Sequence, residues 1–306
     1  MTVANRDRDI NIDFVKCIAV CSVISVHFFL NSGFYETSLH GLWGAAASFL
    51  RTLFMVCVPL FLITTGFLMK NKVLGKKYYI GVIRTVFIYL LASLACIVGR
   101  IVLFEQDVTV LGAVASVFDF SACGYAWYVE MYLGLFLLIP FLNIIYCELK
   151  TKRNRQALLL TLAVLVALPP VLNFKFQLMP AWWVSGLYPI LYYYYIGSYL
   201  RDYKLVIRPK VFIFAAFIGW VFVCSCFNYY LCINSEGNEF GWNAWTGWGS
   251  LENCLSSVLL FIWVQNLKLN NRQTSRTFII KVSKYSLGAY LTSWIFDKSF
   301  YPIIVE

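Results

Sequence analysis

Apolar residues run along this chain in blocks of about twenty, the length at which a helix crosses a bilayer core. Nine blocks stand out, at roughly 12–31, 48–69, 79–103, 127–148, 157–174, 184–200, 210–232, 248–267 and 278–303. A weaker run, VTVLGAVASVF at 108–118, is too short to cross comfortably and predicts an interfacial or re-entrant segment; a crossing there would make ten. The pattern predicts an all-α polytopic membrane helix bundle of about nine to ten transmembrane helices. No polar block is long enough for a separate soluble domain, so residues 1–306 are read as a single domain.

The polar segments between blocks differ in charge, and that difference orients the bundle. Lys70, Lys72, Lys76 and Lys77 follow the second block, and Lys150, Lys152, Arg153 and Arg155 follow the fourth. Arg201, Lys204, Arg208 and Lys210 follow the sixth, and Lys268, Arg272, Arg276 and Lys281 follow the eighth. Segments 104–125 and 233–247 contain Glu105, Asp107, Asp119, Glu236 and Glu239 but no Lys or Arg. Positive charge accumulates on the cytoplasmic side, which predicts a cytoplasmic N-terminus. The first block does not read as a secretory signal: no small-residue cleavage site follows it, and NRDRDINID before it is mixed in charge.

Composition agrees with this picture. Mean hydropathy is +0.71, and 13% of residues are charged, about half the share of a soluble domain. The net charge of +10 lies in short loops, where it sets topology, so no nucleic-acid partner is implied. Ten cysteines are scattered mostly through the apolar blocks without paired metal-type spacing, so neither a metal site nor a disulfide framework is expected.

Ionisable residues inside such blocks are costly and mark candidate sites. Lys16 and His27 lie eleven residues apart in DFVKCIAVCSVISVHFFL, so they share one helix face, separated by roughly 16 Å. Asp13, one turn before Lys16, is positioned to pair with it. Glu130 is the one carboxylate of GYAWYVEMYLGLFLLIP, where the fourth block begins, and falls at about the depth of His27, where it could orient the imidazole and favour general-base chemistry; an interfacial Glu facing outer water is the alternative. Arg84 falls near the depth of Lys16, with Lys76 and Lys77 below it. Cations thus form an inner layer, and a His and a Glu an outer one. Snorkelling to headgroups explains the cations equally well, and an interhelical hydrogen bond explains His27. His40, the only other histidine, falls in an outer loop. A long ligand, phosphorylated at one end and reactive at the other, fits the two layers, and acyl-coenzyme A has that shape. Trp242, Trp245 and Trp248 fall in an outward loop, either as interfacial anchors or as a sugar-stacking platform. The same two alternatives apply to WW at 182–183 and YYYY at 192–195.

These residues resemble the acyltransferase-3 family of integral-membrane O-acyltransferases. The family's first helix reads D-x-x-R, then ten residues and a His; here the positions are Asp13, Lys16 and His27, with Lys for Arg. VPLFLITTGF at 58–67 is similar to the family's V-P-L-F-F-x-I-S-G-Y. Of the family's R-x-x-R pair only Arg84 is present, Gly81 taking the first place. WYVEMYLGLFLLIP, from Trp127 to Pro140, resembles the fourth-helix segment, and YYIGSYL at 194–200 the sixth. VSKYSLGAYLTSW at 282–294 resembles the last-helix signature, with Ser293 in place of its closing His.

The resemblance implies a multi-pass protein of the bacterial cytoplasmic membrane. It would move an acyl group from cytoplasmic acyl-CoA, commonly acetyl-CoA, to a hydroxyl of an extracytoplasmic glycan or lipid-linked glycan, as in surface-polysaccharide O-acetylation. His27, assisted by Glu130, would be catalytic. Lys16, Arg84, Lys76 and Lys77 would hold the donor, and Trp127, Trp242 and Trp245 would meet the acceptor. No metal is expected. The rival from the residues alone is a transporter or exporter using the same buried polar groups. The chain lacks the paired Gly- or Pro-broken helices that usually mark a transporter site.

Overall fold

A computed structural model describes residues 8–173, 176–178, 187–242, 245–269 and 273–305. Thirteen helices follow one another, with no strand among the described residues. They are α1 (Ile10–Asn31), α2 (Gly41–Phe54), α3 (Cys57–Met69), α4 (Lys76–Ile80), α5 (Ile83–Val102), α6 (Val110–Phe118) and α7 (Trp127–Glu148). The chain continues with α8 (Lys152–Val166), α9 (Pro169–Leu172), α10 (Leu187–Asp202), α11 (Lys210–Ile233), α12 (Leu251–Gln265) and α13 (Gln273–Val305).

Among the described residues, six stretches are long and apolar enough to cross a membrane: Ile10–Asn31, Gly41–Met69, Lys76–Val102, Trp127–Glu148, Lys152–Leu172 and Lys210–Ile233. Three further expected crossings correspond to helices that are shorter or more polar than these. α10 and α12 have 16 and 15 residues. α13 has 33, but Lys281, Lys284, Asp297 and Lys298 dilute its apolar character. The 108–118 run forms α6, nine residues with none buried, too short to cross.

Hydrogen bonds show which loops share an end. Lys70, after α3, and Arg155, at the start of α8, both pair with Asp202 at the end of α10. Asn11 donates to the carbonyls of Val264, Gln265 and Leu267 at the end of α12. The amide of Ile207 donates to Asn266. The Lys/Arg-rich loops therefore gather at one end of the bundle, called here the basic end. At the opposite end Leu39 meets Asn238, Arg51 meets Thr246, and Asn31 reaches Tyr125.

Two sequence motifs acquire a packing reason. α3 and α10 approach until backbone meets backbone: a Cβ on Gly66 would overlap the Tyr194 carbonyl oxygen, and one on Gly197 the Ile63 carbonyl oxygen. Small residues at a membrane helix crossing allow such contact. The glycines of VPLFLITTGF and YYIGSYL are thus the two halves of one crossing. Gly197→Ala is expected to lower the thermal unfolding midpoint in detergent, at or beyond the top of the ~1–3 kcal/mol range for overpacking, because the opposing atom is backbone. Gly219→Ala, where nothing lies within 4 Å, should leave the midpoint unchanged or raise it.

Pro140 sits inside α7 and cannot donate to the Phe136 carbonyl. The Tyr78 hydroxyl donates to that oxygen instead, at 2.5 Å. One turn on, buried Asn143 donates to the carbonyls of Met69 and Lys72 and accepts from the Tyr194 hydroxyl at 2.6 Å. α7 is thereby fastened to α3, α4 and α10.

Candidate functional site

A cavity of about 220 Å³ lies between α1, α3, α5, α7 and α13. Its wall is mainly apolar, with Thr64, Thr65, Tyr128, Tyr132 and Tyr290 among its polar elements. Thr65 returns its hydroxyl to the Phe61 carbonyl. The Thr64 hydroxyl is buried and has no hydrogen-bond partner among the described residues, so it can serve a ligand inside the cavity.

Lys16 lines the cavity and is half-buried. Its expected partner, Asp13, is engaged elsewhere. Arg8 donates two hydrogen bonds to the Asp13 carboxylate, at 2.5 and 2.8 Å, and the Ser283 hydroxyl donates a third at 2.6 Å. Asp13 therefore ties α1 to α13, because its buried carboxylate is saturated by donors closer than Lys16. The Lys16 ammonium makes no ion pair with a described residue and faces the cavity. Arg8 and Arg84 are its cationic neighbours. Arg84 is exposed, and the adjacent Thr85 lines the cavity. Lys76 and Lys77 are exposed on α4. Gly81, at the family's first Arg position, falls in the break between α4 and α5.

Val23 carries the same face of α1 along the cavity wall. His27 lies beyond, 4% exposed. Tyr125 stacks on its ring at 3.6 Å between centroids, and Tyr290, whose ring lines the cavity, stands 5.7 Å away. Asp297 of α13 places Oδ2 3.7 Å from His27 Nδ1. That carboxylate accepts a 2.6 Å hydrogen bond from the Tyr125 hydroxyl. Asn31 donates to the Tyr125 hydroxyl and to the His27 carbonyl. Tyr290 donates to the Tyr125 carbonyl at 2.6 Å. Tyr125 can reach inward because the turn that carries it is buried at Ala122, Cys123 and Ala126, and the Cys123 thiol donates to the Leu291 carbonyl. His27 is thus held by a shell of Asn31, Tyr125, Tyr290 and Asp297.

Glu130 is not in that shell. It is exposed in the first turn of α7 and has no side-chain hydrogen bond or ion pair with a described residue. The reason is helical phase: Tyr128, Val129 and Tyr132 face the cavity, and the 100° step turns Glu130 outward. The carboxylate beside His27 comes from α13, which sequence reasoning passed over. An Asp in the apolar stretch WIFDKSF is itself the signal that finds it. Ser293 lies one turn before Asp297 and returns its hydroxyl to the Tyr290 carbonyl.

None of Trp127, Trp242 and Trp245 lines the cavity. Trp127 is exposed and edge-on to Tyr128. Trp245 is edge-on to Phe227. Trp242 is exposed and lies 5.0 Å from the guanidinium of Arg51, which Tyr35 and Phe240 also face. Trp182 and Trp183 lie outside the described residues. Arg51 and Glu252 form a second buried polar cluster that sequence reasoning missed. Arg51 donates to the Tyr35 hydroxyl and the Thr246 carbonyl, and Asn228 bridges Glu252 to Thr52.

No curated protein and no solved structure matches the chain. The acyltransferase domain model of the acyltransferase-3 family matches residues 9–305. With Lys16 in a cavity and a buried histidine beyond its Tyr290 wall inside an apolar helix bundle, and with the match running over essentially the whole chain, this protein belongs to the acyltransferase-3 family and is a membrane-embedded acyltransferase.

Proposed function

We propose that the protein is an O-acyltransferase of the bacterial cytoplasmic membrane, taking an acyl group, acetyl in the simplest case, from cytoplasmic acyl-CoA to a hydroxyl of an extracytoplasmic glycan. The observation that carries this reading is one face of α1: it puts the free cation of Lys16 in the cavity and His27 just past the cavity's Tyr290 wall, roughly 16 Å away along the helix. The positive charge of the basic-end loops supports a cytoplasmic N-terminus and nine crossings.

In this reading the CoA phosphates rest on Lys16 and Arg84, with the exposed Lys76 and Lys77 of α4 adding positive charge. The pantetheine arm fills the cavity, where the Thr64 hydroxyl can bond one of its amides. The thioester carbonyl lies next to His27. With Nδ1–H directed at Asp297, Nε2 is left as the proton acceptor. His27 Nε2 removes the proton from the acceptor hydroxyl as its oxygen bonds to the thioester carbon. The carbon–sulfur bond then breaks, and the imidazolium returns the proton to the departing CoA sulfur. Asp297 stabilises the imidazolium and fixes its orientation. The 3.7 Å separation is longer than a hydrogen bond, and such contacts tighten when substrate closes the site. Asp297 takes the orienting role that sequence depth assigned to Glu130. The exposed rings of Trp127 and Trp242, at the same end as His27, offer stacking faces to a sugar.

Thermal stabilisation of the purified protein by acetyl-CoA tests donor binding. Lys16→Met should shift the half-maximal acetyl-CoA concentration about tenfold upward, the worth of one charge-assisted hydrogen bond. No stabilisation of the wild type over a wide concentration range would count against the reading.

A further inference from the structure

At the basic end an open cleft of about 850 Å³ lies between the α10–α11 connection and the end of α12. Lys204, Arg208, Lys210 and Lys268 line it, together with Gln265 and Asn266, and no Asp or Glu does. None of the four cations forms an ion pair with a described residue. Topology alone explains positive loops. It does not explain four unpaired cations converging on one recess.

The neutral groups of the cleft are also biased toward donation. Helix α12 ends here, and its last carbonyls would ordinarily repel an anion. Asn11 covers those of Val264, Gln265 and Leu267, and the Asn266 amide covers those of Ile262 and Leu205. The Gln265 side chain is 8% exposed, lines the cleft, and its amide nitrogen has no hydrogen-bond partner among the described residues. A buried unmet N–H donor among unpaired cations calls for an oxyanion.

The flanking surface indicates where that oxyanion comes from. Val206, Val211 and Phe212, beside the cleft, are 65%, 62% and 67% exposed. In a membrane bundle such surface meets acyl chains. A soluble phosphate uses only the cations, whereas a phospholipid uses both. The cleft is also distinct from the donor cavity. α1 sends Asn11 to the end of α12 and Lys16 into the cavity, and five residues of helix place these about 140° apart. We infer that the cleft binds the phosphate headgroup of an anionic phospholipid, with the lipid's chains lying against Val206, Val211 and Phe212.

The test is native mass spectrometry of the full chain released from mixed micelles of phosphatidylglycerol and phosphatidylcholine. The wild type should retain phosphatidylglycerol at least about fivefold over phosphatidylcholine, and each of Arg208→Gln and Lys268→Gln should lower that retention about fivefold. Gln265→Leu, which removes no charge, should lower it as well. Lys150→Gln with Arg153→Gln, exposed cations outside the cleft, should leave it unchanged. Gel filtration and melting confirm that each variant is folded. Equal retention of the two lipids, wild-type retention in the cleft variants, or equal loss in the Lys150/Arg153 control would overturn the inference. So would displacement of phosphatidylglycerol by millimolar inorganic phosphate or CoA, which would assign the cleft to a soluble phosphate.

Discussion

Replacing His27 with alanine is expected to lower acyl transfer by about 10²–10⁴-fold, the usual contribution of a general base. Its protonatable ring stands next to the one tyrosine, Tyr290, that both lines the cavity and is bonded into the histidine's own shell. Loss of the ring also removes the stack on Tyr125, so part of the effect could come from a looser fold. His27→Gln separates the two: it refills most of the space and cannot accept and return a proton at catalytic rates. Both variants should be equally inactive at matched membrane levels, while acetyl-CoA still stabilises the His27→Gln protein. Activity of either variant within about tenfold of wild type would remove His27 from the chemistry.

Asp297→Asn is the second large effect. The carboxylate lies beside His27 Nδ1 and is itself fixed by the Tyr125 hydroxyl. An amide in its place can present an N–H to Nδ1 and favour the wrong imidazole tautomer, which at other histidine bases costs up to about 10⁴-fold. The longer contact here points to a smaller loss, about 10²-fold, falling on kcat with little change in the KM for acetyl-CoA. Asp297→Glu should recover part of the rate. Glu130→Gln should change it less than about threefold, because no described residue is bonded to that side chain. These rates, read from labelled acetate incorporated into surface glycan, distinguish the two carboxylates. A larger loss from Glu130→Gln than from Asp297→Asn would return the assisting role to the α7 carboxylate.

That contrast shows where sequence reading reached its limit. The period of α1 was legible: Lys16 and Val23 do share the cavity face, with His27 beyond. Depth was also legible, since Glu130 begins α7 at the end of the bundle that holds His27. Azimuth was not, because an apolar helix in a membrane carries little polar contrast between its faces. The rotation of α7 became clear only from Tyr128, Val129 and Tyr132 facing inward. The Asp13–Lys16 pair failed for a related reason. Spacing along a helix cannot register Arg8 folding back or Ser283 arriving from the far end of the chain. Asp297 lies 270 residues from His27, and only the packing of α13 on α1 brings them together. Gly66 and Gly197 stand in two separate family-like motifs, and only the folded chain shows that they meet in one crossing.

The most direct test of the central claim uses the purified protein in sealed vesicles of one orientation. Labelled acetyl-CoA is supplied at the basic end and a hydroxyl-bearing glycan acceptor at the other. The account predicts labelled ester on the acceptor and free CoA on the donor side in equal amounts, with both lost in His27→Gln. Ester formation that persists in His27→Gln, or label that crosses the membrane without releasing CoA, would contradict it.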